Sequence, residues 1–542
     1  FGISGNTSHE LPILSKALNY LPFYSSNEMS TISVKADAAY ILPDANTKKS
    51  LIQSDEGEGI AYIDDFEGAR QSIPLMGSYS IWKSTSAPVE LDGYGQVPDS
   101  IAFNYKAKTT WGGTIQDVDQ RDIWPKREPP KEERQIGSLL IEYDPAKRGE
   151  YNYYPNLVDL KNNWGGMMRT LGSNATNLAS QNYTSIELWM NVDGADLRDA
   201  KLYLDLGRIS ERMISTYKVP GRNGLHTEDG ILPEYPIPNG ILNEGEDVGI
   251  DGLTDAQEKA LFPNLGDDPS GDNWAYAGSG SLDFKQINGT EGNAYLESSK
   301  FPDTEDLNRN GVLDLTNSYF VYEIPLDTLT AIQNKKIVGG GNKGWYQYRI
   351  PLNEPLKAIG SPSLDVVETI RLRITGTTKK IAMRIVQFDV VGNQWQELLS
   401  KDSTGAVIQD TTFKISVVNV EETPYYDNKA LELGDIRDRT RPDQDRKLNE
   451  QSLALILNGF KDGQSREAVR YFTSRALDVF NYKTMKMFVR GDPSFCYIDT
   501  TNYDVEFFLK FGVDTANYYE YRAPLRPNWR DNDVVIDFAK LT

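Results

Sequence analysis

Thr31-Ile-Ser-Val-Lys-Ala-Asp-Ala-Ala-Tyr-Ile-Leu42 alternates in character from one residue to the next. Ile32, Val34, Ala36, Ala38, Tyr40 and Leu42 share one face of an extended chain, and Thr31, Ser33, Lys35 and Asp37 share the other. A period of two is the mark of a β-strand, whose successive side chains point to opposite faces. Twelve residues exceed the roughly five or six of an ordinary strand. The length suits a tilted outer-membrane barrel strand of roughly nine to eleven residues with a polar lumen face. A long strand in a soluble sandwich would give the same alternation, so this segment alone leaves both readings open.

From about residue 57 the alternating runs shorten and turn clusters separate them. Ile186-Glu-Leu-Trp-Met-Asn-Val192, Leu202-Tyr-Leu-Asp-Leu206, Glu368-Thr-Ile-Arg-Leu-Arg-Ile374 and Phe413-Lys-Ile-Ser-Val-Val-Asn-Val420 are of this kind. Many strands, Gly and Pro turns and few helices predict antiparallel β-sandwiches. Arg121 to Arg134, with Pro125, Pro129 and Pro130, is a charged loop that cannot sit inside a sheet. Thr254-Asp-Ala-Gln257 is a capping box that opens one short helix. The segment from Ser465 to Phe480 reads equally as helix or strand.

An aromatic strand ended by proline occurs three times, as Tyr319-Phe-Val-Tyr322-Glu-Ile-Pro-Leu326, Trp345-Tyr-Gln-Tyr348-Arg-Ile-Pro-Leu352 and Tyr518-Tyr-Glu-Tyr521-Arg-Ala-Pro-Leu525. Leu204-Asp-Leu-Gly207 upstream of the first parallels Leu509-Lys-Phe-Gly512 upstream of the third. These matches predict a duplicated plan with a boundary near Pro424. The expected organisation is mainly β: a barrel-strand segment over 1–56, a jelly-roll-like sandwich over 57–424 carrying an acidic insert at about 220–316, and a second, truncated sandwich over 425–542.

Composition narrows the function. The 542 residues carry 57 Lys and Arg against 78 Asp and Glu, a net charge of −21. That excludes a general nucleic-acid binder, which needs a basic face to displace counterions. One cysteine, Cys496, excludes an intramolecular disulfide, and its flanks Phe495 and Tyr497 predict burial or half-burial. Two histidines, His9 and His226, argue against a His-rich metal site and a Ser-His-Asp triad. No apolar run approaches the roughly 18 residues of a transmembrane helix. The chain begins at Phe1, without an initiator Met, and ends inside an apparent element, which reads as a fragment of something larger.

The charge is concentrated. Asn243 to Asp272 nets −8 and Asp303 to Asp314 nets −3. The second window, Asp306-Leu-Asn308-Arg-Asn310-Gly311-Val312-Leu-Asp314, follows the first nine positions of the calcium-loop pattern. Asp306, Asn308 and Asn310 supply oxygens at positions 1, 3 and 5, the Val312 carbonyl at 7 and Asp314 at 9, round a turn that Gly311 permits. Position 12 is Asn317 and no helix pattern follows, so this is not an EF-hand. Two readings stand: a structural calcium loop, or a cluster of Asx turns holding a surface loop. The stretch from Gly245 to Asp255 has the same flavour with looser spacing. Gly339-Gly-Gly341-Asn-Lys-Gly344 matches a nucleotide-binding pattern literally, but a strand follows where a helix N-terminus would be needed, so it reads as a hairpin loop. Asp64, Asp65 and Glu67 crowd together, yet neighbours on a strand point to opposite faces, and a catalytic carboxylate pair is the weaker reading.

The order of segments resembles the SprA/Sov family, the giant outer-membrane translocon of the Bacteroidetes type IX secretion system, associated with gliding motility. The resemblance is carried by Leu21-Pro-Phe-Tyr-Ser-Ser26 before the long strand, Tyr62-Ile-Asp-Asp-Phe-Glu-Gly-Ala69, Gly245 to Asp255, Ile287-Asn-Gly-Thr-Glu-Gly-Asn293, Asp303 to Asp314, Leu448-Asn-Glu-Gln-Ser-Leu453 and Tyr518 to Tyr521. It implies an internal piece of a large single-chain β-barrel that exports folded proteins, with inserted soluble domains. It also implies location at the outer membrane or cell surface, partner outer-membrane proteins of the secretion system, secreted cargo proteins, and no catalytic residues. The alternative is a surface glycan-binding jelly-roll protein with a structural calcium. An acidic hydrolase has the least support.

Overall fold

The computed structural model describes the chain except residues 1, 24, 26, 40–58, 60–62, 64–69, 115–116, 128, 158, 173–176, 216–223, 276–285, 295–300, 399–411, 421–422, 424–425, 427–450, 473–477, 515 and 542. The chain divides into two compact units, Phe1–Ile63 and Asp64–Thr542.

The first unit is a hairpin. Gly2–Glu10 pairs antiparallel with Thr31–Ala39 in unbroken register, Gly2 opposite Ala39 and Glu10 opposite Thr31, with the short helix Pro12–Leu18 between them. Directly opposed residues share a face. One face therefore carries Ser4, Asn6 and Ser8 opposite Asp37, Lys35 and Ser33, all polar. The other sets Ile32, Val34 and Ala36 opposite His9, Thr7 and Gly5. Ile32 and Val34 are about half exposed, at 48% and 51%. Residues 40–42 of the expected strand lie outside the described residues, and among the described residues no sheet closes into a barrel.

In the second unit two antiparallel sheets face each other. The first runs Ile337–Gly340, Trp345–Pro351, Tyr183–Gly194, Ile381–Asn393, Leu139–Arg148, Ala107–Gly113, with Arg70–Pro74 also paired to Ile381–Asn393. The second runs Lys357–Ile359, Ser318–Pro325, Lys201–Arg208, Thr369–Thr375, Gly165–Thr170, Lys83–Ser84. Alternation puts Ile186, Leu188 and Met190 of one sheet and Leu202, Leu204 and Leu206 of the other into a single core. Tyr322 and Tyr348 join it from opposite sheets, and the Tyr322 hydroxyl donates to the Leu352 carbonyl at 2.8 Å, which satisfies its polar end.

Both outer faces are also covered, which is why these strands carry apolar residues on both sides. The Pro-rich loop covers the first: its Trp124 meets Trp189 edge-on at 5.6 Å, with Val118, Ile123 and Trp345 around them. On the outer face of the second sheet Asp205 is fully buried between Arg371 at 2.7 Å and Arg373 at 2.9 Å. Burial alone would raise the Asp205 carboxyl, but the two guanidinium charges hold it below the usual range. The long segment between Arg208 and Ser318, the acidic insert, packs Ile209, Met213, Ile214 and Ile250 there against Tyr203, Tyr319 and Val321.

The region expected to form the second sandwich is also built of antiparallel strands. Among the described residues after 425, strands occur in two-stranded antiparallel pairs: Gln451–Leu457 with Phe413–Asn419, Ala468–Val469 with Gln396–Glu397, Thr484–Met487 with Val534–Asp537, Tyr497–Asp499 with Asn502–Tyr503, and Glu506–Gly512 with Tyr518–Pro524. Buried apolar residues there are few, with Leu525, Trp529, Val534 and Ile536 the main ones. The duplicated strand pair is nonetheless visible in its register. Lys201, Leu204 and Gly207 oppose Pro325, Tyr322 and Tyr319. Glu506, Leu509 and Gly512 oppose Pro524, Tyr521 and Tyr518. A Cβ on Gly207 would meet the Ser318 carbonyl oxygen at 2.4 Å, and one on Gly512 the Asn517 carbonyl oxygen at 2.2 Å, so both pairs need glycine at the same place. All three aromatic strands end at the predicted prolines, Pro325, Pro351 and Pro524.

Three further expectations meet the structure here. Residues 339–344 form the turn between two paired strands, as the missing helix implied. Ser465 to Phe480 includes the short strand Ala468–Val469. Cys496 is exposed, not buried: it sits at the base of the hairpin of Tyr497–Asp499 and Asn502–Tyr503, where its backbone N–H donates to Asp504 Oδ2. Asp64, Asp65 and Glu67 lie outside the described residues.

Candidate metal centre

The acidic insert contains several carboxylates taken out of water. A buried ionised carboxylate must be met by hydrogen-bond donors or by positive charge. The structure meets this requirement in two different ways.

The Asp306 loop is satisfied by its own backbone. Asp306 accepts from Asn310 N at 3.1 Å and Gly311 N at 2.7 Å, Asn308 Oδ1 from Asn310 N at 3.0 Å, and Asn310 Oδ1 from Val312 N at 2.8 Å. The side-chain amides of Asn308 and Asn310 donate to Asp314 Oδ2 at 2.9 and 3.2 Å. Gly311 makes the turn at φ +81°. The sequence-predicted residues Asp306, Asn308, Asn310 and Asp314 are thus brought to one turn, and Val312, 60% exposed, completes its rim. Glu211 was not foreseen. Its Oε1 accepts from Leu307 N and Asn308 N, and its Oε2 from Asp314 N, which fastens the loop to the strand end that opens the insert. Backbone donors satisfy other buried acids nearby. Glu305 accepts from Met213 N, Ile214 N and His226 N and meets His226 Nδ1 at 2.8 Å. Glu228 accepts from Gly249 N and Asp303 N.

The second arrangement lies around the helix Asp255–Leu261, which starts at the predicted capping box of Thr254 and Gln257. Glu258, in the first turn of this helix, points inward and is fully buried. Asp251 comes from the preceding turn and Asp272 from the segment after the helix; they are 0% and 2% exposed. One carboxylate oxygen from each of Asp251, Glu258 and Asp272 lies within 4.8 Å of the others, and Glu258 forms an overlapping group with Asp255 and Asp268. Tyr153 donates to Asp251 Oδ2 at 2.6 Å and Tyr151 to Asp272 Oδ2 at 2.9 Å, so two tyrosines of the sandwich hold the cluster. Ser270 N donates to Glu258 Oε2 at 3.0 Å and Ser270 Oγ to Asp272 Oδ1 at 2.6 Å. Among the described residues Glu258 Oε1 and Glu291 Oε2 are buried with no hydrogen-bond donor.

Electrostatics follow from that shortage. Among the described residues no Lys, Arg or His side chain forms an ion pair with Asp251, Asp255, Glu258, Asp268 or Asp272; Lys259 pairs instead with Asp267. The Arg148 guanidinium donates to backbone carbonyls of Leu265, Asp268 and Pro269. Burial raises Asp251, helped by the charge of Asp272, and Glu258, helped by the charge of Asp251, far above the carboxylate range. Burial pushes Asp272 up to about 8 despite the hydroxyls of Ser270 and Tyr151. Burial and the charges of Asp255 and Glu258 raise Glu291 to about 8 as well. Chemically the cluster is all oxygen, with no thiolate or imidazole, and suits a hard divalent cation. Glu258 and Asp272 were not singled out from the sequence. The signal for Glu258 was its place as the twelfth residue counted from Asp247.

The class of protein is therefore a mainly β, two-sheet sandwich protein with an acidic insert seated on one outer face. Residues 281–534 match the family SprA_N, described as a motility related/secretion protein. Over these residues, a little under half of the chain, it is similar to that family of motility and secretion proteins. No curated protein matches the chain. Among solved structures, the family 11 carbohydrate-binding module from Clostridium thermocellum, in complex with a beta-1,3-1,4-mixed-linked tetrasaccharide, is similar at 9% identity over 60% of this chain and 96% of that one, with a TM-score of 0.24. A likeness at that level carries no argument here.

Proposed function

We propose that this chain is a segment of an outer-membrane protein-secretion translocon, contributing soluble β domains attached to a large β-barrel that exports folded proteins to the cell surface. The observation that carries this reading beyond the family match is the hairpin of Gly2–Glu10 and Thr31–Ala39: nine residues per strand, one face polar from Ser4 to Glu10, the other with exposed Ile32 and Val34. An isolated two-stranded hairpin is marginal in water. Barrel strands have this length and two-faced character, and they find their missing neighbours in the barrel wall. No helix of the described residues is long and apolar enough to cross a membrane. Partners in this reading are other outer-membrane proteins of the secretion system and the cargo in transit, and the chain performs no catalysis. A weakly held structural calcium at Asp306, Asn308, Asn310, the Val312 carbonyl and Asp314 belongs to the same proposal. Its affinity would be on the order of 10⁻⁴–10⁻³ M, as in extracellular modules.

The test uses the protein expressed in its own cells. Arginine on the lipid side costs about 2–4 kcal/mol at the bilayer midplane, whereas lumen positions tolerate charge. Val34→Arg should therefore deplete the protein from the outer-membrane fraction and reduce export, while Lys35→Glu on the polar face leaves both near wild type. Equal behaviour of the two variants, or recovery of the wild type only in the aqueous fraction, would contradict the proposal. Specific retention on a glycan array with normal export in both variants would favour the glycan-binding alternative.

A further inference from the structure

We propose that the loop from Asp247 to Glu258, completed by Asp272, holds a divalent cation of the hard, calcium-like class, and that this cation fastens the acidic insert to the sandwich. The calcium-loop pattern requires oxygen ligands at positions 1, 3, 5, 7, 9 and 12, Gly at 6 and a bidentate Glu at 12. Counted from Asp247, position 5 is Asp251, position 6 Gly252, position 7 Leu253, position 9 Asp255 and position 12 Glu258. The helix Asp255–Leu261 follows as an exiting helix should. Only position 3 departs, being Gly249.

The structure accounts for that departure. Gly249 has φ +83°, and a Cβ built on it would fall 2.1 Å from Asp272 Oδ2. The room for a side chain at position 3 is taken by the Asp272 carboxylate, which arrives from beyond the helix and stands in for the missing ligand. Position 1 is diverted: Asp247 accepts from Gly292 N, Asn293 N and Ala294 N at 3.0, 3.1 and 3.0 Å, anchoring the loop to the insert. Position 12 is the independent sign of a ligand. Glu258 is fully buried, its Oε2 is met by Ser270 N, and its Oε1 has no donor among the described residues, its polar neighbour being another acid, Asp251. A bidentate glutamate with one oxygen unmet is what a cation at this position would satisfy. Because Tyr153 and Tyr151 donate to Asp251 and Asp272, the same cation tightens the insert onto the sandwich.

Terbium, which occupies calcium sites, is the probe. Excited through tyrosine, the wild-type chain should give terbium emission that calcium displaces, since Tyr151 and Tyr153 touch the ligand carboxylates. Glu258→Gln and Asp272→Asn should each weaken the apparent affinity by at least the roughly tenfold that loss of even an outer-shell partner brings. Asp306→Ala should leave this binding unchanged. Melting in chelator serves as the folding control: each neutral variant should melt at or above wild type, because it removes a carboxyl that burial disfavours, and calcium should raise its melting temperature by no more than the weak Asp306 loop allows. Asp251→Asn replaces either variant that fails this control. Absence of calcium-displaceable emission in the wild type, wild-type affinity in the folded variants, or loss of the signal in Asp306→Ala alone would overturn the proposal.

Discussion

The two acidic loops of the insert begin from similar sequences and end in opposite electrostatic states. At Asp306–Asp314 backbone amides and two asparagine side chains satisfy the carboxylates, and Glu211 closes the loop from outside. At Asp247–Glu258 three carboxylates meet in a buried place and one oxygen is left with no donor. Asparagine at positions 3 and 5 of the first loop brings its own donors, whereas Gly249 and Asp251 in the second bring none. Resemblance to a calcium loop is thus a poor guide to where charge is uncompensated; the hydrogen-bond inventory is a better one.

Calcium itself should separate the two loops most strongly. At a hundredfold excess over its dissociation constant a cation bound only by the folded state adds about 2.7 kcal/mol. Denaturant titration in calcium and in chelator should show a gain of that order in wild type and, in Glu258→Gln, only the small remainder that the weak Asp306 loop supplies. A wild-type gain retained in the variant would erase the distinction.

Glycine replacements sharpen the comparison further. Gly249 and Gly311 both sit at left-handed φ, +83° and +81°, but a Cβ meets Asp272 at the first and nothing within 4 Å at the second. Each should lose about 1–3 kcal/mol from backbone strain. Gly249→Ala should lose the larger amount and also weaken calcium binding, because it evicts a ligand. Equal losses, with calcium binding intact, would mean that Asp272 is free to move aside.

Acidity acts on the same difference. Asp272, raised from 3.8 to about 8, holds a proton in the folded chain over a range where the unfolded chain has released it. By linkage the metal-free protein is favoured at low pH and loses that contribution as pH rises from about 4 through 8. Melting in chelator should therefore fall across this window, and calcium, which binds the deprotonated carboxylates, should reverse the fall near pH 8. A melting temperature independent of pH in chelator would contradict the uncompensated cluster. The smallest effect is expected from Asp306→Ala, about 1 kcal/mol, as for loss of a capping carboxylate. Denaturant midpoints with and without calcium would check that the calcium-dependent gain persists.

Local alternation made the strands legible. Thr31–Ala39 and the core residues Ile186, Leu188, Leu202 and Leu204 follow directly from a period of two. Their partners were less visible. Gly2–Glu10 is rich in Gly, Ser, Asn and Thr, so only its register with the second strand reveals it. The Pro-rich loop showed that it lay outside the sheets, but not that its Trp124 would cover Trp189. At the candidate site the capping box and the acidic concentration were plain. Asp272 was not, because it completes the cluster from beyond the helix and no local spacing records that approach. Glu258 was countable from Asp247 only if glycine is allowed at the third position.

Anomalous scattering from crystals of the full chain grown in calcium tests the central claim most directly. The account predicts a peak bounded by Asp251, Glu258 and Asp272, with carboxylate oxygens at roughly 2.3–2.6 Å, the range for calcium. It also predicts that Glu258 Oε1 is among the ligands. Crystals saturated with calcium that show no peak there, with Glu258 and Asp251 sharing a proton instead, would contradict it.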